Sequence, residues 1–317
     1  MDSAKFLAGQ FEKYLQENLP EGKPDNLYAP IRYILNLGGK RTRPLLCILS
    51  TEAAGAQPEE AFQLAYALEV FHNFSLVHDD IMDQATMRRG QSTVHMKWNS
   101  PTAILAGDNM LVYCYSLLMD LRHPKKQEIL DLFNRVAREV CEGQQMDMDF
   151  ASNDNVKISE YMEMIRLKTA VLLGCCSAGG ALLANSDKER TALYYQFAEN
   201  LGIAFQLMDD YLDTFGDSKK TGKKQGGDIA EGKKTWLYLR AQESGLNMKQ
   251  IYSEENVETR IQNATELYAK YHLDKELLKL AREYHDTSLQ CLEELRNLGE
   301  NTESLKILMD SLISRSH

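Results

Sequence analysis

Apolar side chains recur along most of this chain at the spacing of an α-helix. Residues 59–83 show the pattern most clearly. Most apolar residues in this range lie three or four positions apart, on one side of a helix: Phe62, Ala65, Leu68, Val70, Phe71, Phe74, Val77 and Ile81. No stretch sustains the alternation of polar and apolar residues that is typical of a half-buried β-strand. The pattern therefore predicts an all-α protein.

The same periodicity locates the individual helices. The predicted ranges are approximately 3–18, 26–37, 42–54, 59–83, 101–121, 125–150, 159–184, 187–215, 232–243 and 257–295. The segments between them are short and contain Gly, Pro, Asn and Asp, which favour turns. None is long enough, or biased enough in composition, to be a linker between domains. The sequence therefore predicts one helical domain over residues 1–317.

Charge and hydropathy exclude two broad classes of partner. The chain has 317 residues and a formal net charge of −10. Nucleic-acid binding needs a broad basic surface, so this charge argues against it. The most apolar run, from Ala170 to Ala184, would extend roughly 22 Å as a helix, short of the ~30 Å hydrocarbon core of a bilayer. It predicts a buried helix with small residues for close packing, and no membrane span is expected.

The cysteines and the N-terminal residues indicate the cellular compartment of the protein. The chain has six cysteines, and none of them forms a CxxC pair. Isolated thiols of this kind are typical of a reducing compartment. The first twenty residues carry charge in every helical turn and lack the apolar core of a signal peptide. We therefore expect a cytoplasmic protein.

Two acidic clusters share one spacing. "DDIMD" contains Asp79, Asp80 and Asp83, and "DDYLD" repeats the spacing near residue 210. On a helix, carboxylates four residues apart lie on one face, and the residue after the first lies about 100° away. Like charges this close repel unless a cation separates them, and oxygen ligands suit Mg²⁺. The repetition predicts two carboxylate-bearing helices that together hold Mg²⁺ ions.

Basic residues near these clusters indicate which kind of anion would bind together with the Mg²⁺ ions. "GGKRTRP", "MRRG", "KTGKK" and "EGKKT" place Lys and Arg within an otherwise acidic chain. Arg and Lys bind phosphoryl oxygens through charge-assisted hydrogen bonds, and Arg often binds two oxygens at once. For any single lysine the alternative is a solvated surface charge. Taken together, the segments predict binding of a phosphorylated substrate.

With these motifs in order, the chain resembles the all-trans isoprenyl diphosphate synthases from about residue 28 to residue 240. The resemblance implies an all-α, single-domain bundle around a deep central cavity, and a homodimer. It also implies that isopentenyl diphosphate condenses with an allylic diphosphate such as dimethylallyl, geranyl or farnesyl diphosphate. The expected reaction is an Mg²⁺-assisted ionisation followed by condensation and elimination, with three Mg²⁺ ions per active site.

The resemblance assigns roles to particular positions. The main Mg²⁺ ligands implied are Asp79, Asp83 and Asp209, with Asp80, Asp210 and Asp213 in support. Isopentenyl diphosphate would be bound by Lys40, Arg43, His72 and Arg89. The allylic diphosphate would be surrounded by Arg88, Lys168, Thr169, Gln206, Lys223 and Lys233. "EGQQMD" fits a helix motif of the family, in which Gln144 and Asp147 would support the site.

Two residues before the first motif bear on the length of the product. In the family, a bulky residue five positions before the motif blocks a growing chain, and Phe74 occupies that position. Ser75 lies four positions before Asp79 and therefore about one helical turn away. The pattern resembles the short-chain synthases, which make products of fifteen or twenty carbons. The alternative is that Phe74 only packs in the core.

Two other functions use similar residues. A class I terpene cyclase also ionises a prenyl diphosphate beside a DDxxD motif, but it typically lacks the second aspartate motif and a loop such as "GGKRTRP". A catalytically silent subunit of a heteromeric synthase would be expected to have lost an aspartate or an arginine, and every one is present. Both features favour the synthase.

Overall fold

A computed structural model describes residues 2–216 and 225–313 of the chain. The first helices are α1 (Asp2–Glu17), α2 (Asp25–Asn36), α3 (Thr42–Ala53), α4 (Phe62–Met82), α5 (Val94–Lys97), α6 (Ser100–Met119), α7 (Lys126–Ser152) and α8 (Ile158–Ile165). They are followed by α9 (Val171–Leu183), α10 (Lys188–Phe215), α11 (Gly227–Glu231), α12 (Trp236–Glu243), α13 (Met248–Tyr252), α14 (Val257–Lys270), α15 (Leu273–Asn297) and α16 (Glu303–Ile313). The prediction of an all-α fold is confirmed.

The chain divides into two compact units. The first unit contains residues 1–134, 175–194 and 295–305, and the second contains residues 135–174, 195–294 and 306–317. The prediction of one domain over residues 1–317 stays a prediction. The first acidic cluster belongs to the first unit and the second acidic cluster to the second unit, so each is described with its own neighbours.

In the first unit, α4 packs against α3 and α6. The part of α9 in this unit also packs on α3, where Gly180 permits close approach, because an added Cβ would lie 2.2 Å from the carbonyl oxygen of Cys47. Thr51 Oγ1 donates to Gly180 O over 3.0 Å, and the hydroxyl oxygens of Ser50 and Ser177 lie 2.8 Å apart. The apolar run therefore forms a buried helix with small residues at its contacts, as predicted.

The core of the second unit is built from α8, α10 and the helices that follow Lys224, with large buried side chains that include Tyr268, Leu237 and Trp236. Lys234 connects this region to the end of α7. Its Nζ donates to Phe150 O over 2.9 Å and to Asn153 O over 2.8 Å. These carbonyls have no helical partner, so the lysine caps the C-terminus of α7.

The structure departs from the predicted helices in four respects. The range 257–295 contains two helices, because His272 has a φ of 59° and the helix cannot continue through this left-handed conformation. The range 159–184 contains a π-helical turn at Arg166–Ala170. α5, α11, α13 and α16 were not predicted, and the first three of these have only four or five residues each. A two-stranded hairpin, β1 (Met87–Arg88) and β2 (Gln91–Ser92), was also missed.

Two helical stretches have the length and composition of a membrane span. They are Ser100–Met119 and Ile158–Leu183, and in their most apolar windows 33% and 83% of the residues, respectively, are buried within the structure. The second stretch is thus mostly core. The first stretch, which is α6, keeps an exposed apolar face that is considered below.

Arg41, in the "GGKRTRP" segment, is a structural residue in this fold. Its guanidinium is buried, and Nη1 donates to Glu69 Oε1 over 2.8 Å while Nη2 donates to Leu35 O over 2.7 Å. Nε donates to Glu12 Oε2 over 3.0 Å. The residue has a φ of 47° and begins α3. These bonds join α1, α2, α3 and α4 at one point.

Replacing Arg41 tests this network. In Arg41→Met the carboxylate of Glu69 stays buried without its cation, so we expect the free energy of unfolding to fall by about 3–5 kcal/mol. Adding Glu69→Met should recover most of that loss, because no unpaired charge then remains. Lys13→Met, at an exposed ion pair, should change stability by less than about 1 kcal/mol. Urea unfolding measures all three, and equal losses in Arg41→Met and Lys13→Met would contradict the network.

Candidate active site

The first aspartate motif lies at the end of α4. Asp79 and Asp80 belong to the last turn, and Asp83 is the capping residue, whose N–H donates to Asp79 O over 2.8 Å. Asp79 and Asp83 are therefore one helical turn apart, as the spacing predicted. Asp80 is different, because its side chain is buried whereas that of Asp79 is 19% exposed.

Arg88 binds this buried aspartate. Its Nε lies 2.9 Å from both carboxylate oxygens of Asp80, and its Nη2 lies 2.7 Å from Oδ1. The same Nη2 is 3.7 Å from Asp79 Oδ2. Burial raises the pKa of Asp80 above its ordinary value, and the hydrogen bonds and charge of Arg88 oppose that change. Asp80 thus holds the guanidinium of Arg88 beside Asp79.

The hairpin that carries Arg88 depends on its two turn residues. Arg89 and Gly90 both have positive φ, 51° and 75°, as the central residues of a tight hairpin turn require. Thr93 Oγ1 donates to Ala85 O over 2.7 Å and closes the base of the loop. The dipeptide "RG" before Gln91 was the available signal for this turn, but the strands have only two residues each and show no alternation.

Three residues predicted to bind isopentenyl diphosphate lie together in the first unit. Arg43 Nη1 is 3.0 Å from His72 Nε2, and because a guanidinium can only donate, His72 accepts through Nε2 and carries its proton on Nδ1. Burial, then the positive charges of Arg43 and Arg89, lower the pKa of His72 well below its ordinary value. Arg43 Nε is buried and has no protein partner.

The glycine pair of the "GGKRTRP" segment meets the third of these residues, Arg89. Arg89 Nη1 donates to Gly38 O. A Cβ on Gly39 would lie 3.0 Å from Cζ of Arg89, and Gly39 has a φ of 136°, so a side chain here would be both crowded and strained. Lys40 follows directly and is exposed. The segment therefore brings backbone and cationic groups to one place, as an anion site requires.

The second aspartate motif lies within the last turns of α10. Its middle residue, Asp210, is buried like Asp80. Tyr161 donates its hydroxyl hydrogen to Asp210 Oδ2, and Gln206 Nε2 lies 3.4 Å from Oδ1. Thr169 Oγ1 is 3.5 Å from Gln206 Oε1, so two predicted substrate residues belong to this network. Burial, then the negative charge of Asp228, raises the pKa of Asp210 well above its ordinary value.

Asp228 is a residue of this site that the sequence analysis missed. Its N–H donates to Asp213 Oδ2 over 3.0 Å. Lys233 Nζ lies 3.5 Å from Asp228 Oδ1 and 2.9 Å from Glu231 Oε2. Burial, then the charge of Asp213, raises the pKa of Asp228 to about 6. The segment "GGDIAEGKK" carried the signal, since a lone Asp stands between two glycines and the predicted lysine.

The π-helical turn between α8 and α9 contains Lys168 and Thr169. A π-turn inserts one residue into a helix, and such turns are frequent at functional sites. Lys168 Nζ donates to Asp147 Oδ2 over 2.6 Å, so the predicted supporting residue Asp147 orients a predicted substrate residue. Gly143, one residue before Gln144, allows α7 to approach this turn, because an added Cβ would lie 2.3 Å from Lys168 N.

The donor set fits Mg²⁺. Burial, and after it the negative charges of neighbouring aspartates, raises the pKa values of Asp210 and Asp228, which belong to a group of four carboxylates with Asp209 and Asp213. Such a cluster is stabilised by a cation with oxygen preference. Within residues 2–216 and 225–313, no three Asp, Glu, His or Cys side chains form a preassembled metal group. Mg²⁺ at phosphate sites commonly takes one or two carboxylates and adds water and substrate oxygens.

The remaining predicted residues are placed as follows. Phe74 is half-buried, and its ring contacts those of Phe71 and His78, with centroids 5.6 and 4.9 Å away. Ser75 Oγ donates to His72 O over 2.8 Å, so its hydroxyl is bonded within α4. Lys223 lies outside the described residues.

The neutral state of His72 makes folding stability depend on pH. The unfolded chain binds a proton at this histidine below about pH 6.5, whereas the folded protein does not until a lower pH. The free energy of unfolding should therefore fall on acidification by up to about 1.4 kcal/mol per pH unit from this group alone. His72→Gln keeps an acceptor for Arg43 but cannot be protonated.

We expect urea unfolding at pH 7.5 and pH 5.5 to show that His72→Gln loses about 1 kcal/mol less stability than the unsubstituted protein. His285→Gln, at a histidine near the surface, is the matched control and should follow the unsubstituted protein. If all three proteins lose the same free energy of unfolding between pH 7.5 and pH 5.5, then the fold does not keep His72 neutral.

Comparison with known proteins identifies the family. Residues 24–271 match the polyprenyl synthetase family. The chain is 39% identical to a geranylgeranyl pyrophosphate synthase of Geoglobus acetivorans, over 100% of this chain and 98% of that protein. It also resembles a crystal structure of a geranylgeranyl pyrophosphate synthase, with a TM-score of 0.93, 42% identity, and coverage of 100% of this chain and 99% of the other.

A second solved structure, a geranylgeranyl pyrophosphate synthetase from Pyrococcus horikoshii, gives a TM-score of 0.90 at 34% identity, covering 99% of this chain and 97% of that chain. The matched range includes both aspartate motifs, the hairpin, the glycine-rich segment and the π-turn. This chain belongs to the polyprenyl synthetase family.

Proposed function

We propose that this chain is a short-chain trans-prenyltransferase, which condenses isopentenyl diphosphate with an allylic diphosphate to make a fifteen- to twenty-carbon all-trans prenyl diphosphate. The observation that carries the proposal is the repeated aspartate motif. In both copies a long helix presents carboxylates one turn apart and the middle aspartate is buried and bound by protein donors. The relatives named above make the twenty-carbon product the first candidate.

The allylic diphosphate would be held by groups that stabilise negative charge. Asp79, Asp83, Asp209 and Asp213 would hold Mg²⁺, which supplies Lewis-acid stabilisation of the departing diphosphate. Arg88 is directed by Asp80 toward Asp79 and would donate to the same diphosphate. Lys168, oriented by Asp147, and Lys233 would add positive charge as the C–O bond breaks. Lys223 is proposed on the resemblance alone.

The allylic cation formed in this way needs neighbours that stabilise it without capturing it. Thr169 and Gln206 present oxygen atoms within one hydrogen-bonded network, which limits their movement. Their dipoles would stabilise the cation, and the surroundings must exclude water because water would convert the cation to an alcohol. The double bond of isopentenyl diphosphate then forms the new C–C bond, and the proton that is lost goes to the departing diphosphate.

Isopentenyl diphosphate would be bound by Lys40, Arg43, His72 and Arg89. Arg43 supports this assignment because its buried Nε has no protein partner and His72 fixes the other side of the guanidinium. A neutral His72 keeps its Nδ1–H as a donor to a phosphate oxygen. This second anion site favours a two-substrate synthase over a terpene cyclase, which binds one diphosphate.

Turnover tests the proposal. Purified protein, Mg²⁺ and isopentenyl diphosphate, incubated with dimethylallyl, geranyl or farnesyl diphosphate, should give linear alcohols of fifteen or twenty carbons after dephosphorylation. Asp79→Asn and Asp209→Asn should each lower turnover by at least about a hundredfold, because each removes a charge that stabilises the leaving group. Asp286→Asn, at a side chain 78% exposed, is the matched control and should leave the rate unchanged.

Other products would point to the alternatives. Cyclic hydrocarbons from geranyl or farnesyl diphosphate would indicate a terpene cyclase. No condensation by the unsubstituted protein, with normal folding, would indicate a silent subunit. Wild-type rates in Asp79→Asn or Asp209→Asn would contradict the two-motif mechanism.

The exposed face of α6 supports a homodimer. Leu105, Val112 and Met119 are 58%, 63% and 56% exposed and follow one another on one side of the helix. Exposed apolar side chains repeated along one helix face favour an interaction site, and a helix face can pair with its own copy about a two-fold axis. All six cysteines are free thiols, which supports action in the reducing cytoplasm.

A charge on this face tests the dimer. The double substitution Leu105→Asp, Val112→Asp would place carboxylates in the apolar interface, so we expect the mass in solution to fall from roughly 72 kDa, twice the 36.1 kDa of one chain, to that of a monomer. Val257→Asp, at an exposed valine in α14, is the control and should stay dimeric. Light scattering after size exclusion measures both, and an unchanged mass in the double variant would contradict an α6 interface.

A further inference from the structure

His78 contacts the residue proposed to limit product length. It precedes Asp79 in α4 and follows Phe74 by four positions, so the two side chains share one face of the helix. Their ring centroids lie 4.9 Å apart with an interplanar angle of 67°, which is a favourable edge-to-face arrangement. The imidazole of His78 therefore covers one side of the Phe74 ring.

The position of His78 is fixed from α6. Its Nε2 lies 3.1 Å from the carbonyl oxygen of Ile104. A carbonyl can only accept, so Nε2 carries the hydrogen in this contact. Asp108 Oδ1 lies 3.9 Å from the same nitrogen, one turn further along α6. A hydrogen bond to main chain holds the imidazole more firmly than packing alone would.

Gly107 makes this arrangement possible. A Cβ on Gly107 would lie 2.2 Å from His78 Nε2 and 2.6 Å from its Cδ2. Gly107 is inside α6 and is buried, so a side chain there would force the imidazole to move rather than point into solvent. The glycine is thus required by the space that the His78 ring occupies.

The Phe74 ring also contacts a second aromatic ring. Phe71 lies one turn before it, with ring centroids 5.6 Å apart. Phe71 in turn packs edge-to-face on Phe133 of α7, at 5.1 Å and 82°. Phe74 therefore contacts two aromatic rings, one three positions before it and one four positions after it in α4, and each of these rings is itself fixed by another helix.

We propose that His78 and Gly107 are positioning residues for product length. His78, held by the Ile104 carbonyl in the space left by Gly107, fixes the orientation of the Phe74 ring and so fixes the point at which elongation stops. The proposal rests on the proposed function, in which Phe74 limits the growing chain. It assigns to α6 a part in specificity through the contacts that Ile104 and Gly107 make with His78.

The test measures the fraction of product longer than the main product of the unsubstituted protein. His78→Gln keeps an N–H donor for Ile104 O but removes the ring, and an aromatic pair is worth about 0.5–1.5 kcal/mol, so this fraction should rise about two- to tenfold. His78→Phe keeps an aromatic ring at this position, so the fraction of longer product should rise less than in His78→Gln. Gly107→Ala should raise the fraction as His78→Gln does, because the methyl group displaces the imidazole.

A double substitution identifies the route of the effect. If Gly107 acts through His78, adding Gly107→Ala to His78→Ala should change the product lengths no further. Gly9→Ala is the matched control, because an added Cβ there has no neighbour within 4 Å, and it should leave the lengths unchanged. Circular dichroism confirms that each variant is folded, and His78→Gln provides the test if Gly107→Ala does not fold.

Phe74→Ala separates this proposal from the one on which it rests. If Phe74→Ala lengthens the product while His78→Gln and Gly107→Ala keep the original lengths, the positioning role is wrong and the role of Phe74 stands. If Phe74→Ala leaves the lengths unchanged, Phe74 does not limit the chain, and both proposals fail. A lower rate with unchanged lengths in the His78 variants would indicate only an effect on the neighbouring Asp79.

Discussion

The repulsion between clustered carboxylates is the constraint on which the rest of this structure depends. Three carboxylates within five residues are stable only if donors or cations lie among them. In both motifs the middle aspartate is withdrawn from solvent, and Asp80 and Asp210 are 0% and 3% exposed. Each is bound by a group that only the folded chain supplies, Arg88 in one motif and Tyr161 in the other. The middle aspartate thereby fixes its motif to the fold.

This arrangement gives the aspartates of one motif two separate tasks. The middle aspartate is bonded to the protein, and the outer two are the proposed metal ligands. Residues four apart on a helix differ by about 40°, and the residue next to the first differs by about 100°. The helix can therefore bury the middle carboxylate while the outer two share a different direction. Arg88 links these two tasks. It neutralises Asp80, and Asp80 in turn holds the guanidinium of Arg88 3.7 Å from Asp79. An acidic protein can in this way keep a cationic group beside its proposed metal ligands.

The sequence predicted most of the helices and the one-turn spacing of the outer aspartates in each motif, because both are periodic signals within one segment. It could not distinguish neighbouring residues of the same type. Arg41 and Arg43 are two positions apart, yet Arg41 is bonded to Glu12 and Glu69 whereas Arg43 contacts His72. Lys233 and Lys234 also differ in their partners, and it is Lys234 that caps α7. Which member of such a pair faces a partner depends on contacts with distant residues.

The features that were missed depend on tertiary contacts of the same kind. The π-turn at Lys168 requires one additional residue in a helix, and no local composition marks it. Asp228 joins the second motif only because Gly226 and Gly227 allow the chain to return to Asp213, whose carbonyl accepts from Gly226 N over 2.7 Å. The hairpin at Arg88 is too short to show alternation. None of these three features produces a periodic pattern in the sequence, although their residues lie close to the predicted motifs.

The energetics of elongation explain why a residue that limits product length, as proposed for Phe74, would need support from neighbouring side chains. Each added unit brings five carbons, and burial is worth about 0.8 kcal/mol per carbon, so elongation into an accessible apolar space gains about 4 kcal/mol. Turning a lone side chain about 30° away from its preferred rotamer costs only about 1 kcal/mol, which is too little to stop growth. Phe74 is supported by His78 and Phe71, and His78 is fixed by Ile104 and Gly107. Displacing Phe74 therefore requires its contacts with Phe71 and His78 to break together, and each such aromatic pair adds about 0.5–1.5 kcal/mol to the cost.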